Sequence, residues 1–390
     1  MKRLLIIGAS VLQVPAIRKA KEMGLTVAVA DFNPQAVGIP LADEYFNVST
    51  IDEEGVYEAA KAFRADGIMT LATDMPMRAL AYACQKLGLT GISYDTALRA
   101  TDKAAMIHAF AAADVAHPWY RIAEGGKLAD TPPSFPLITK PTDNSGSRGV
   151  MLVNSAEELR VALEYSSQNG RGGDVMVEEY MQGPEVSVEI MADGGRIHVL
   201  QITDKLTTGA PHFVEMGHSQ PSRLPADTQA AIRDLATRAV QSVGIENGPA
   251  HVEIIVTKDG PKMVELGARM GGDCITSHLV PLSTGIDMVG STIRCALGLP
   301  MELKPSLQKG SAIRFLSAPS GLIREISGAD EAREIPGVQE VTLTKHIGDR
   351  MDGIASSNDR PGYVIAQGET AEEAAAICEK AIQKITITVE

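Results

Sequence analysis

The sequence lacks several patterns that would settle its class at once. No apolar stretch approaches the roughly 20 residues that a membrane span needs, so a membrane protein is not expected. The opening Met1-Lys2-Arg3-Leu4-Leu5-Ile6-Ile7-Gly8 resembles a leader only superficially. Its apolar run ends within about five residues, short of the roughly 7–15 of a signal segment. Positive charge is scarce: 36 Lys and Arg face 49 Asp and Glu, a net charge of −13. That balance argues against binding to phosphate backbones, which reward clustered Lys and Arg. The four cysteines, Cys84, Cys274, Cys295 and Cys378, show no CxxC spacing. Reduced structural thiols in a cytoplasmic protein are the expectation. No internal repeat or low-complexity tract is present. What remains is an ordinary globular composition, 22% charged and 44% hydrophobic over 390 residues, long enough for two or three domains.

The most informative stretch is 251–272. Two apolar runs, 252–256 and 263–266, flank Lys258-Asp259-Gly260-Pro261, a turn signal between strands. A turn centred on Asp259 places Glu253 opposite Glu265. Alternation then puts Val252, Ile254, Val256, Val264 and Leu266 on one buried face. The two acids share the other face with Cβ atoms roughly 5 Å apart. Like charges so placed call for a cation between them or for one neutral carboxyl. A magnesium ion completed by phosphate oxygens fits, and Arg269 in the glycine-rich turn beyond would reach the same phosphates. A plain hairpin with a solvated acidic face fits these residues equally well.

Residues 1–95 read as a βαβ unit of a parallel sheet: strand 3–7, helix 14–23, strand 26–30. Asp31 has the position of a ribose-binding acid, but only Gly8 of G-x-G-x-x-G is present, so a nicotinamide site is disfavoured. A further strand, 67–71, runs into Asp74 ahead of a helix over 77–87. Asp74 is either a ligand-binding residue at a strand's carboxyl end or an N-cap.

Beyond a helix at 104–113, strand 136–141 carries Lys140 into Thr142-Asp143-Asn144-Ser145-Gly146-Ser147-Arg148-Gly149. This loop has no apolar side chain. It can curl its N–H groups around an anion, although it contains no Walker G-K-[ST], and a plain hairpin connection is the competing reading. Strand 175–181 ends in Glu178, Glu179, Tyr180 and Met181, whose backbone suits an adenine edge. Glu185 follows, placed for ribose hydroxyls. Helix 227–243 has an apolar face suited to packing on a central sheet. Residues 271–297 read as a glycine-rich turn and then helix. The tail alternates strands (311–316, 338–344, 362–367) with a helix at 371–386. Arg314 and Arg360 fall near strand ends and are not expected to be catalytic.

Taken in order, Lys103, Lys140, the loop 144–149, V-E-E-Y at 177–180, G-P-E-V-S-V-E at 183–189 and the acids Glu253 and Glu265 resemble the ATP-grasp superfamily. That resemblance implies an α/β (α+β sandwich) ATP-grasp fold using ATP and Mg²⁺, with Mn²⁺ as a substitute ion. It implies that Lys103 and Lys140 contact phosphates, and that Ser145, Gly146 and Ser147 close over them. Glu178, Glu179, Tyr180 and Met181 would hold adenine, Glu185 ribose, and Glu253 and Glu265 the metal. Gly267 stands where that family carries a metal-binding Asn, which leaves the number of ions open.

Three passages, 211–222, 265–273 and the tail, are similar to bacterial L-amino acid ligases. By that likeness Asp74, Glu215, His218 and Arg269 form the substrate and catalytic site, with Arg269 on an acyl phosphate. Bare of context, Glu215 and His218 read equally as a surface turn. The implied domains are 1–95 (Rossmann-like), 96–187 (linker helix and lid), 188–300 (catalytic) and 301–390 (ligase-type tail). The implied partners are small carboxylate and amine substrates, amino acids first among them, with no nucleic acid or membrane. A homodimer through the amino-terminal unit follows from family likeness alone. Competing readings are another ATP-grasp carboxylase or ligase, of purine-biosynthetic or carbamoyl-phosphate type, and a nucleotide-binding protein without turnover.

Overall fold

The computed structural model describes residues 1–390 apart from Thr131, Ser145, Ser147 and Pro211; the expectations for Ser145 and Ser147 lie outside the described residues. The first strands form a four-stranded parallel sheet in the order Glu44–Phe46, Thr26–Ala30, Arg3–Ile7, Gly67–Met69. Leu4, Leu5, Ile6 and Ile7 are fully buried, as expected of a strand with helices on both faces. Helix Met77–Leu87 has the bounds that the sequence predicts. Asp74 is not its N-cap, a position filled by Pro76.

An eight-stranded sheet forms the centre of the molecule. Its order is Gly260–Gly267, Gly248–Thr257, Glu185–Asp193, Arg196–Thr207, Glu215–Gln220, Gly310–Phe315, Gly362–Gly368, Val338–Leu343, every pair antiparallel. The sheet runs without a break past residue 300 into the tail. Helix Ala226–Val243 lies against it through Ile232, Leu235, Ala236, Ala239, Val240 and Val243, all buried. These are the residues its apolar spacing marks. Side chains of the parallel sheet and the central sheet share one continuous core, from Leu5 and Ile7 to Val188 and Val252. A third, four-stranded sheet (Tyr120–Ala123, Val175–Glu179, Leu137–Pro141, Met151–Val153) stands over the central one and is backed by helix Ala156–Gln168.

Several local expectations need correction. The acidic hairpin pairs Val252 with Leu266 and Glu253 with Glu265, but Ile254 then pairs with Met263. The register shift is a β-bulge at Val264. It turns Val264 out toward the cleft and puts Met263 into the core at 0% exposure. Residues 271–297 are not one helix. A π-helical turn, Ile275–Leu279, continues into Val280–Thr284, ends at left-handed Gly285, and is followed by Met288–Ala296. The last helix stops at Ile382, and Thr386–Val389 pairs with Gly321–Ser327 in a small three-stranded sheet. Residues 215–220 are a strand of the central sheet rather than a surface turn.

The bulge makes a direct prediction. Met263→Ala should lower unfolding free energy by about 2–5 kcal/mol, whereas Val264→Ala should cost about 1 kcal/mol or less. Urea titration of both variants checks this, and equal losses would place Val264 in the core instead.

Candidate active site

One face of the central sheet is polar across four strands. Glu185, Ser187 and Glu189 alternate with buried Val186 and Val188, so all three side chains leave the strand on the same side. The neighbouring strand sets His251 against Glu189 and Glu253 against Ser187. On the other flank, Thr203 pairs with Ser187 and Lys205 with His218. This face floors a cleft of about 880 Å³, roofed by the third sheet.

Lys205 lies at the centre of the floor, with 3% of its side chain exposed. Its ammonium is 2.5 Å from Glu185, 3.1 Å from Glu253 and 3.6 Å from Glu215. Burial pulls its pKa down, yet the three carboxylates outweigh burial and hold it well above the usual lysine range. Burial likewise acts to raise Glu253, but Lys205 and His251 override it and keep this carboxyl well below its ordinary range. Glu185 goes the other way: burial raises it, and Lys205 only partly compensates.

Lys103 begins helix Lys103–Ala112, whose N-cap Asp102 accepts the Ala105 N–H at 2.8 Å. Its ammonium donates to the Asn144 carbonyl at 2.6 Å and is 3.2 Å from Glu265. Burial opposes that charge, but Glu265 and the neighbouring acids raise its pKa. On the roof, Lys140 is 2.7 Å from Glu178. Burial raises Glu178 despite Lys140, and among the described residues its Oε2 is buried without a hydrogen-bond partner. Such an orphan acceptor is rare in a folded interior unless a ligand completes it.

The cleft is lined by six glutamates against Lys103, Lys140, Arg148 and Lys205. Lys262 also meets Glu179 at 2.5 Å and His251 meets Glu253 at 3.3 Å, so no net surplus decides the site; Glu253 and Glu265 facing each other across the hairpin is what favours a cation. Among the described residues no group of three or more His, Cys, Asp or Glu forms a metal cage. Magnesium suits this arrangement, because it uses one or two carboxylates and takes its remaining oxygens from phosphates and water.

A second cleft adjoins the first and shares Lys103 and Glu265 with it. Here Asp74, at the carboxyl end of the parallel sheet, holds Arg269 by two bonds, Nε to Oδ1 at 2.9 Å and Nη2 to Oδ2 at 3.1 Å. Burial disfavours the guanidinium charge, but Asp74, Glu253 and Glu265 raise the pKa of Arg269. A Cβ at Gly267 would come within 2.6 Å of Asp74 Oδ1 and 3.0 Å of Arg269 Nε. The bare backbone there makes room for this pair.

Lys103, Lys140, Gly146, Glu179, Tyr180, Met181 and Glu215 thus border the same cleft as Glu178, Glu185, Glu253 and Glu265, and Asp74 with Arg269 border the next. His218 borders neither. It is 1% exposed, with Nε2 3.3 Å from Asp273 and Nδ1 unpartnered. Asp273 is in turn clamped by Arg360 at 2.7 and 2.8 Å. Three groups escape sequence reasoning: Lys205, the buried Glu189–His251 pair, and Asp273–Arg360. The E-V-S-V-E alternation carried a signal for the first two, since it marks a polar sheet face that needs buried counter-charges.

Comparison with known proteins now bears on this geometry. A family model described as ATP-grasp domain matches residues 133–277, the span that holds Lys140, Glu185, Lys205 and both hairpin acids. The matched span is an ATP-grasp domain, that of a ligase enzyme. A second model, L-amino acid ligase C-terminal domain 2, matches residues 314–390 of this ligase. The crystal structure of L-amino acid ligase from Bacillus licheniformis superposes with a TM-score of 0.87 at 24% identity, covering 100% of this chain and 99% of the other, a likeness of fold. Carnosine synthase 1 of Gallus gallus is 26% identical over 77% of this chain, which spans only 36% of that relative. Formate-dependent phosphoribosylglycinamide formyltransferase of Saccharolobus solfataricus is 25% identical over 99% of this chain and 97% of its own length.

The buried His251 supplies a pH test. Its Nδ1 is 3.0 Å from Glu189 and its Nε2 3.3 Å from Glu253. Burial lowers its pKa, but the two carboxylates prevail and raise it from 6.5 to about 9. A raised pKa contributes stability that is full below 6.5 and is lost as pH climbs through about 9. Urea midpoints across that window should fall in the parent protein and stay flatter in His251→Asn. Parallel profiles would show that His251 is neutral in the folded state.

Proposed function

We propose that this ATP-grasp ligase joins a carboxylate to an amine through an acyl phosphate, converting ATP to ADP and phosphate, with amino acids as substrates. The observation that carries the reading is convergence. Two lysines from separate elements, the facing acids Glu253 and Glu265, and the clamped Arg269 meet where the two clefts share Lys103 and Glu265.

In the first step a carboxylate oxygen attacks the γ-phosphorus of ATP, the bond to the β–γ bridging oxygen breaks, and ADP leaves. In the second an amine nitrogen attacks the acyl carbon, the carbon–oxygen bond to phosphate breaks, and phosphate departs. The nitrogen loses a proton to a nearby base. Phosphoryl transfer mainly requires alignment and neutralised charge. Lys103 and Lys140 serve the phosphates, Glu178 and its neighbours the adenine, and Glu185 the ribose. Magnesium, when bound, neutralises and polarises the phosphate oxygens, and Glu253 and Glu265 are the residues that would hold it. Manganese suits the same oxygen donors. Arg269, fixed by Asp74, meets the acyl phosphate and the charge that grows on the acyl oxygen. Glu215 faces the cleft and receives the amine, while His218, buried behind it, steadies the floor through Lys205 and Asp273.

Amino acids are favoured as substrates by the match of the tail to the L-amino acid ligase domain. The full-length similarity to the formyltransferase keeps purine-type ligation as the second reading. Pooled amino acids with ATP and magnesium should release ADP and yield a condensed product by mass spectrometry. Silence with every acid and amine would leave a nucleotide-binding protein without turnover.

Two variants test the assignments. Arg269→Met should cut product formation roughly 100- to 1,000-fold, the usual cost of losing one oxyanion donor, while ATP still binds. Glu265→Gln should weaken the magnesium requirement's midpoint by at least about tenfold. Unchanged turnover in the first, or an unchanged magnesium titration in the second, removes that residue from the mechanism.

A further inference from the structure

The second cleft, about 1110 Å³, has formal charges that balance but hydrogen-bonding groups that do not. Its acids are all engaged. Asp74 binds Arg269, Glu265 binds Lys103, and Glu53 accepts the Tyr94 hydroxyl at 2.6 Å. Asp143 accepts the backbone N–H groups of Arg171 and Gly173 at 2.7–3.0 Å. Arg78 is different. It is half-buried on helix Met77–Leu87, one turn beyond Asp74, and lines the same wall. Among the described residues it donates once, through Nε to Thr101 Oγ1 at 2.7 Å. That bond fixes the plane of the guanidinium and leaves both terminal –NH₂ groups with no acceptor among the described residues.

A guanidinium presents its terminal nitrogens as a rigid fork that matches the two oxygens of a carboxylate. In the open cleft water meets this fork, and a ligand carboxylate would replace that water with a charge-assisted pair. Arg171 adds a second positive charge at the exposed rim, where it lies against Met75. Arg269, bonded to Asp74, marks the reacting end of the same cleft.

We infer that Arg78 is a specificity residue which binds an oxyanion, a carboxylate, on the amine substrate, so that the nucleophile is itself an amino acid rather than a simple amine. This rests on the ligase reading above and deepens it. The carboxylate anchors at Arg78, and the amino group is carried toward the acyl carbon near Arg269. An amine bearing a phosphate would satisfy the same fork.

Equilibrium binding separates this from the ligase reading, because it needs no turnover. The full-length protein is loaded with magnesium and a non-hydrolysable ATP analogue. Calorimetry then compares the common L-amino acids, their carboxamides and phosphoethanolamine. The parent protein should bind its preferred amino acid at least about tenfold more tightly than the matching carboxamide, the worth of a charge-assisted pair. Arg78→Met should erase that preference and Arg78→Lys should keep part of it, while affinity for the carboxamide serves as the internal reference. Tighter binding of phosphoethanolamine than of any amino acid, lost in the same variant, makes phosphate the group that Arg78 reads. A parent protein that binds acid and carboxamide alike, or an Arg78→Met protein that keeps the preference, overturns the inference. If amino acids bind through Arg78 and yet no ADP is released, it is the ligase reading that fails.

Discussion

Three glutamates from three strands of one sheet meet on a single buried ammonium, Lys205, and most of the site's geometry follows from that meeting. At an effective dielectric of about 20, one pair at roughly 4 Å is worth about 4 kcal/mol, and the glutamates repel one another at comparable cost. The cluster is therefore held together by Lys205, with His251 as a second partner for Glu253, and strained by the mutual repulsion of its glutamates. Glu253 takes part in this cluster and also faces Glu265 across the hairpin. Whatever settles the hairpin acids also relieves the repulsion around Lys205. Structure and ligand affinity draw on the same few charges here, as expected where ionisable groups are buried beyond what the fold alone requires.

The floor would be of little use without a fixed wall, and the wall comes from a different sheet. Asp74 belongs to the parallel sheet's carboxyl end, where α/β proteins place their ligands, while Arg269 extends from the central sheet's acidic hairpin. Their two-bond contact ties the sheets together across a shared core. Gly267 is part of the same device. A side chain there would fall on the Asp74–Arg269 pair, so any gain of a donor at this position would displace the arginine. The absence of the family's asparagine thus has a steric counterpart in the chain itself.

Legibility in the sequence tracks how local each feature is. The acidic hairpin could be read because period-two apolar runs and a K-D-G-P turn fix the facing pair with neighbours alone. Beyond Glu253 that reading slips by one residue, since a bulge at Val264 leaves no mark that a regular strand would not. Residues 215–220 could not be recognised as a strand from composition. Glu, Met, Gly, His, Ser and Gln have little β propensity, and only pairing on both flanks makes them central. Lys205 and the Asp273–Arg360 clamp depend on side chains 10 to 87 residues apart meeting in space. Nothing in local pattern encodes such a meeting. Arg360, set aside in the sequence as a polar residue near a strand end, becomes the tail's hold on the loop that carries Asp273.

Lys103 and Glu265 line both clefts, and this sharing constrains how the site can work. They neutralise each other at 3.2 Å. A triphosphate in the first cleft competes with Glu265 for Lys103, and a cation there competes with Lys103 for Glu265. Either exchange alone leaves one charge stranded in a partly dehydrated space, whereas both together leave none. The pair therefore favours nucleotide and metal arriving as one unit.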